Sequence, residues 1–248
     1  EVFGVIMEAL SLNLLHSPEG EINLQRLSAQ LGRGAVSGQG AFDLNSGDGF
    51  IDLWPYGVDA TRLAFPLPKL AVRAVAGPAY GAIHLEAHKV FEETPDFRGL
   101  VHLDVNRTHG SELGLGDRLR IDARVNLEGD DLDIERLDVK GAGDLARVQG
   151  QFDLDTHMTD LTGRLRVDAL KPLTSAFDVP VQGHLSMDWS MEGPLKKPKF
   201  KADVDGKNVG YATLPTANVT GSIGFVGGVL EFDRVQMRFD TGSVGIQG

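Results

Sequence analysis

In "RLRIDARVNLE", Arg118 to Glu128, every second residue is aliphatic, and this alternation restricts the fold more than any other feature. Leu119, Ile121, Ala123, Val125 and Leu127 share one parity; Arg120, Asp122, Arg124, Asn126 and Glu128 share the other. Successive side chains of a β-strand point to opposite sides, so period two places all the aliphatic groups on one face. A helix would scatter them around its axis.

The period recurs along the chain. "GRLRVDAL" sets Leu165 and Val167 against Arg164 and Arg166, and "GHLSMDWSMEG" sets Leu185, Met187, Trp189 and Met191 against Ser186, Asp188 and Ser190. "GLVHLDVN" and "KFKADVDG" repeat it, the latter with Phe200, Ala202 and Val204 inward. Turn-forming clusters such as "LEGDDL" and "GPLKKP" separate these runs. No stretch keeps a period of 3.6 over three turns; "LTSAFDV", Leu173 to Val179, would make at most a short helix. The expected fold is all-β, antiparallel, with one wet face. At roughly 12 residues per strand and turn the chain would hold about 20 strands. One open twisted sheet rarely holds that many, so the sheet is expected to curl, split or close.

Three segments are self-similar: Ile22 to Asn45, Leu132 to Asp155, and Leu230 to Gly248. They share Arg26, Arg136 and Arg234, then Leu27, Leu137 and Val235, then the pairs Gln39-Gly40, Gln149-Gly150 and Gln247-Gly248. These suggest repeat units of about residues 1–76, 77–192 and 193–248 within one continuous elongated β-groove. Within each copy the inward parity changes: Ile22 and Leu24 give way to Leu27 and Ala29, Leu132 and Ile134 to Leu137 and Val139, Leu230 and Phe232 to Val235 and Met237. One extra residue per strand, a β-bulge, produces such a slip. A one-residue turn between two short strands is the alternative.

Net charge is -11 and the pI is near 5.0, so the surface repels phosphate backbones and nucleic acid is not an expected partner. Absence of cysteine excludes disulfides and thiolate chemistry. The chain has no run of 18 or more apolar residues that could span a bilayer as a helix. "PLKKPKFKAD", the densest basic patch, reads as a solvated turn and an edge strand guarded by lysine.

Sharper chemistry finds weak support. His84, Glu86 and His88 share a strand face, and neutral imidazoles beside a carboxylate suit zinc, but no fourth ligand is evident. "DLNSGDG", Asp43 to Gly49, lacks the spacing of a calcium loop and reads as a hairpin turn. A polysaccharide-active enzyme would need carboxylates and aromatic platforms together on one outer face; aromatics are only 7% of the chain. No serine-nucleophile elbow is present. The reading therefore names no catalytic residue, no cofactor and no metal.

Gly183 to Gly248 carries a family likeness. A strand ends in Gly-Pro-Leu with a second proline after it. A short meander follows, then a Gly-Gly-Val-Leu-x-Phe hairpin and a strand ending in glycine. This order of parts resembles the TamB and AsmA-like family of envelope proteins, and the two upstream copies extend the resemblance over most of the chain. The motifs are glycine, proline and alternation rather than catalytic residues. The resemblance implies a long sheet curled into an open half-pipe, a β-taco-like groove with a hydrophobic lumen. It implies a conduit moving phospholipid between inner and outer membranes and supporting outer-membrane biogenesis and protein assembly. The location implied is the periplasm, in a Gram-negative protein anchored in the inner membrane outside this sequence. An outer-membrane barrel partner would be met through regions outside it too. The chain starts at Glu rather than Met and is expected to be an interior stretch.

On this reading the inward residues contact phospholipid acyl chains: Leu119, Ile121, Ala123, Val125, Leu127, Leu132, Ile134, Leu165, Val167, Leu185, Met187, Trp189, Val204, Leu230 and Phe232. The rival reading is a structural or adhesive β-solenoid or sandwich, in which the same side chains meet in a closed dry core.

Overall fold

The structure is a computed structural model and describes residues 9–60, 77–92, 94–106, 117–141, 143, 145–171 and 180–246. Fifteen β-strands form among the described residues: β1 (Ala9–His16), β2 (Glu21–Leu31), β3 (Gly34–Asp43), β4 (Gly49–Asp59), β5 (Pro78–His88), β6 (Asp96–Asn106), β7 (Arg118–Glu128), β8 (Asp131–Lys140), β9 (Leu145–Asp153), β10 (Met158–Val167), β11 (Val181–Pro194), β12 (Lys199–Tyr211), β13 (Ala217–Val226), β14 (Val229–Phe239) and β15 (Gly242–Ile246). Their hydrogen-bonded order is the chain order, β1 through β15, in a single antiparallel sheet that does not close on itself. Helical backbone among the described residues is confined to Ala60 and Leu170–Lys171, and no described helix is long and apolar enough to cross a membrane. The short helix expected at Leu173 to Val179 lies outside the described residues.

The strands of the described residues are long, up to the 14 residues of β11. By contacts the chain divides into two compact units, residues 1–109 with 118–135 and residues 110–117 with 136–248.

Two of the three parity slips are visible in the pairing. In the first copy Leu24 faces Gly40 and Leu27 faces Gly38, so Gln25 and Arg26 of β2 oppose only Gln39 of β3. In the third copy Thr220 faces Gln236 and Ser222 faces Asp233, so Arg234 and Val235 of β14 oppose only Gly221, and Arg234 takes a positive φ of 51°. Both strands run on through the slip, which makes each a β-bulge and not a turn. β8 of the middle copy is likewise continuous. Each bulge keeps the apolar residues before and after it on one face.

The lysine-rich segment departs from expectation. It does form the β11–β12 turn, but β12 is not an edge: it pairs with β11 and β13. Lys199 and Lys201 face Glu192 and Ser190 on the polar side, so their charge is solvated by the wet face rather than guarding an edge. The sheet edges are β1 and β15.

Among the described apolar residues, burial is deepest where β4 and β6 end and β5 and β7 begin. Val58, Ala79, Val105 and Leu119 are paired in sequence across these strands and are 0%, 0%, 0% and 2% exposed. Connections at the opposite ends of the strands are short, as in residues 129–130 and 227–228.

Candidate functional site

Cross-strand partners share a face, so register decides whether the aliphatic parity forms one surface. In the first unit it does. Leu12, Leu27, Gly38, Leu53, Ile83, Val101 and Ala123 are successive partners across β1 to β7. The next rung is Leu14, Leu24, Gly40, Ile51, Leu85, Gly99 and Val125. Ile121 faces Leu103, Leu119 faces Val105 and Leu127 faces Phe97. No charged side chain interrupts these rungs.

The second unit repeats the arrangement. Val148, Gly163, Trp189, Ala202, Ile223 and Phe232 are successive partners across β9 to β14. So are Gly150, Leu161, Met191, Phe200, Phe225 and Leu230. Leu165, Met187 and Val204 make a third rung, and Val167 faces Leu185. The Trp189 indole stacks on Phe200 with ring centroids 6.2 Å apart and occupies the space a side chain at Gly163 would need. Leu132 and Ile134 lie partly buried in β8.

Of the fifteen residues named from sequence, Leu119 and Val167 are fully covered, Leu230 is 53% exposed, and the others are partly covered. Sequence reasoning left out the equivalent positions of β4 and β5, such as Leu53, Ile83 and Leu85. The same alternation marks them, but Pro55 in β4 obscures it. Within each unit the strands contact chiefly their own sheet neighbours, and most residues of the rungs are only partly covered. A cavity of about 370 Å³ opens among Ile22, Leu24, Phe42, Ile51, Leu85 and Phe97, with an almost wholly apolar lining.

Charges sit on the other parity. His84 Nδ1 lies 2.6 Å from Asp52 Oδ1, and its Nε2 lies 3.1 Å from Glu86 Oε1. His88 Nδ1 lies 3.5 Å from Asp48 Oδ1. These imidazoles are engaged with carboxylates, and no group of three His, Cys, Asp or Glu among the described residues is arranged to hold a metal ion. "DLNSGDG" is the β3–β4 turn: Asp43 Oδ1 accepts the Asn45 backbone N–H at 2.8 Å, and such backbone donors lower the Asp43 pKa.

Glu86 first, then Asp52, raises the His84 pKa above its ordinary 6.5. A raised folded pKa contributes stability below 6.5 that is lost as pH rises through the folded value. Glu86→Gln should move the His84 midpoint back toward 6.5 in an NMR titration. An unchanged midpoint would show that Glu86 does not set it.

Comparisons with protein-family models, with curated proteins and with solved structures found no match.

Proposed function

We propose that this chain is a segment of a lipid conduit, its sheet curled into an open half-pipe whose apolar lumen shields acyl chains between two membranes. The observation that carries this reading is the run of unbroken apolar rungs left partly exposed. An aliphatic surface of this extent is unusual in contact with water and marks a place where something apolar binds. Each buried CH₂ contributes about 0.8 kcal/mol, so an acyl chain gains much by lying there. Sliding needs many similar weak contacts, and Val, Leu, Ile, Ala and Gly supply them. The lumen residues act by shielding alone; direction and energy come from outside this chain. The resemblance to the TamB and AsmA-like family supports the same reading and suggests a periplasmic setting, an inner-membrane anchor and an outer-membrane barrel partner.

A closed structural core is favoured locally by the inaccessible row Val58, Ala79, Val105 and Leu119. The two readings separate at Val125, on the same strand as Leu119 but only partly covered. A photo-crosslinking amino acid is placed at Val125 and, separately, at Arg124, in cells fed radiolabelled phospholipid. Capture of lipid at Val125 and not at Arg124 is expected. If Val125 links only to protein and neither position captures lipid, the conduit reading fails.

A further inference from the structure

We infer that the polar face of β4 and β5 is a binding platform for an uncharged glycan chain. On β4 the polar parity reads Phe50, Asp52, Trp54 and Tyr56, whereas β6 and β7 carry mostly charges there, such as Arg98, Asp104, Arg120 and Asp122. The chain has only 2 Trp and 3 Tyr, and one of the tryptophans and two of the tyrosines (Tyr56 and Tyr80) meet on this patch. Trp54 and Phe50 are each 40% exposed and Tyr56 is 72% exposed. Their partners on β3 are small: Ala41 beside Phe50, Ser37 beside Trp54, Ala35 beside Tyr56. No large side chain of β3 stands directly opposite a ring.

Neighbouring groups fix the platform. Tyr80 meets Tyr56 edge-on with centroids 5.1 Å apart, and the His84 ring lies 6.0 Å from Phe50 at a tilt of 32°. His84 in turn holds Asp52 and Glu86. Gln39 faces Asp52 across the strands. Toward the short turns the platform runs into a cavity of about 570 Å³ lined by Phe50, His84, Glu86 and His88 among others.

This pairing of groups matches sugar chemistry. A pyranose ring offers a C–H face that stacks on an aromatic ring, and hydroxyls at its rim that donate to carboxylate and amide acceptors. Phe50 to Tyr56 spans six residues, about 20 Å at 3.4 Å per residue, enough for several sugar rings. Aromatic rows also stack nucleic-acid bases. Here Asp52, Glu86 and a net charge of -11 repel phosphates and uronates, which restricts the ligand to an uncharged chain.

The test uses the purified 248-residue protein with cellohexaose and with the hexamer of N-acetylglucosamine, read by calorimetry, and with polygalacturonate as the anionic control. Saturable binding of at least one neutral hexamer is expected, at least tenfold weaker in both Trp54→Ala and Tyr56→Ala. Trp189→Phe, on the apolar face, should leave it unchanged. Tyr56 is so exposed that its removal spares the fold, which an unaltered far-ultraviolet circular dichroism spectrum verifies. No binding of either hexamer at millimolar concentration overturns the inference. So does undiminished binding by a normally folded Tyr56→Ala, or equal binding of polygalacturonate.

Discussion

Replacing Asp138 with Asn is expected to destabilise the protein by about 2 kcal/mol at neutral pH and by almost nothing near pH 2. The Asp138 side chain is completely inaccessible, yet what covers it is charge. Arg147 Nε donates to Oδ1 at 2.7 Å, Arg136 Nε donates to Oδ2 at 2.9 Å, and Lys140 Nζ lies 3.6 Å from Oδ2. Arg147 first, and then Arg136, holds the Asp138 pKa at about 2 against an ordinary 3.8. Breaking a buried ion pair commonly costs about 3–5 kcal/mol. The three cations here are 43–55% exposed, so water reaches them once the carboxylate is gone and the loss is smaller. A depressed folded pKa means that this stability is complete above 3.8 and disappears as pH falls through about 2. Urea midpoints measured from pH 7 to pH 2 should therefore converge for wild type and variant. A constant offset across that range would refute the electrostatic origin.

What could be read in the sequence, and what could not, follows from the kind of information each feature needs. Parity is local, so the apolar assignment of β7, β10 and β11 needed only the residues themselves, and register places them in continuous rungs. A parity change is local too, which made the bulges at Gln25–Arg26 and Arg234–Val235 visible without a structure. Strand length is different. Period two carries no signal for where a strand must stop, so it does not mark a strand as long as the 14 residues of β11. Edge or interior position depends on partners, so the lysines of β12 were misplaced although their parity was right. Asp138 looked like any other carboxylate on a wet strand; only the approach of Arg147 from β9 distinguishes it. Phe50, Trp54 and Tyr56 were legible one by one, but as a row on the polar side they emerge only once β4 is seen as a single 11-residue strand through Pro55.

Gly150→Ala is expected to cost about 3 kcal/mol, and Gly129→Ala only about 1 kcal/mol, although both glycines have positive φ. Gly150 has a φ of +129°, and a Cβ there would sit 2.1 Å from the Asp160 carbonyl oxygen of β10. Backbone cannot yield as a flexible side chain can, so strain and overlap add. Gly129, in the β7–β8 turn, has a φ of +59° with nothing within 4 Å of a built Cβ, so backbone strain acts alone. Urea unfolding of the two variants measures the difference, and equal losses would remove the close approach as the cause. Gly40 belongs to the same comparison, because a Cβ there would lie 2.4 Å from the Phe50 carbonyl oxygen. Gly40 and Gly150 are the glycines of the two described Gln-Gly pairs, and each lies on an apolar rung, beside Ile51 and Leu161. In both, the neighbouring strand comes too close for any side chain. The shared glycine therefore has a physical cause in each hairpin. Gly40 also lines the cavity among Leu24, Ile51 and Leu85 in the first unit. If acyl chains lie in that cavity, Leu85→Trp should fill it from a position with no such backbone constraint. It should lower lipid capture at Val125 while leaving the urea midpoint nearly unchanged, whereas Gly150→Ala lowers the midpoint.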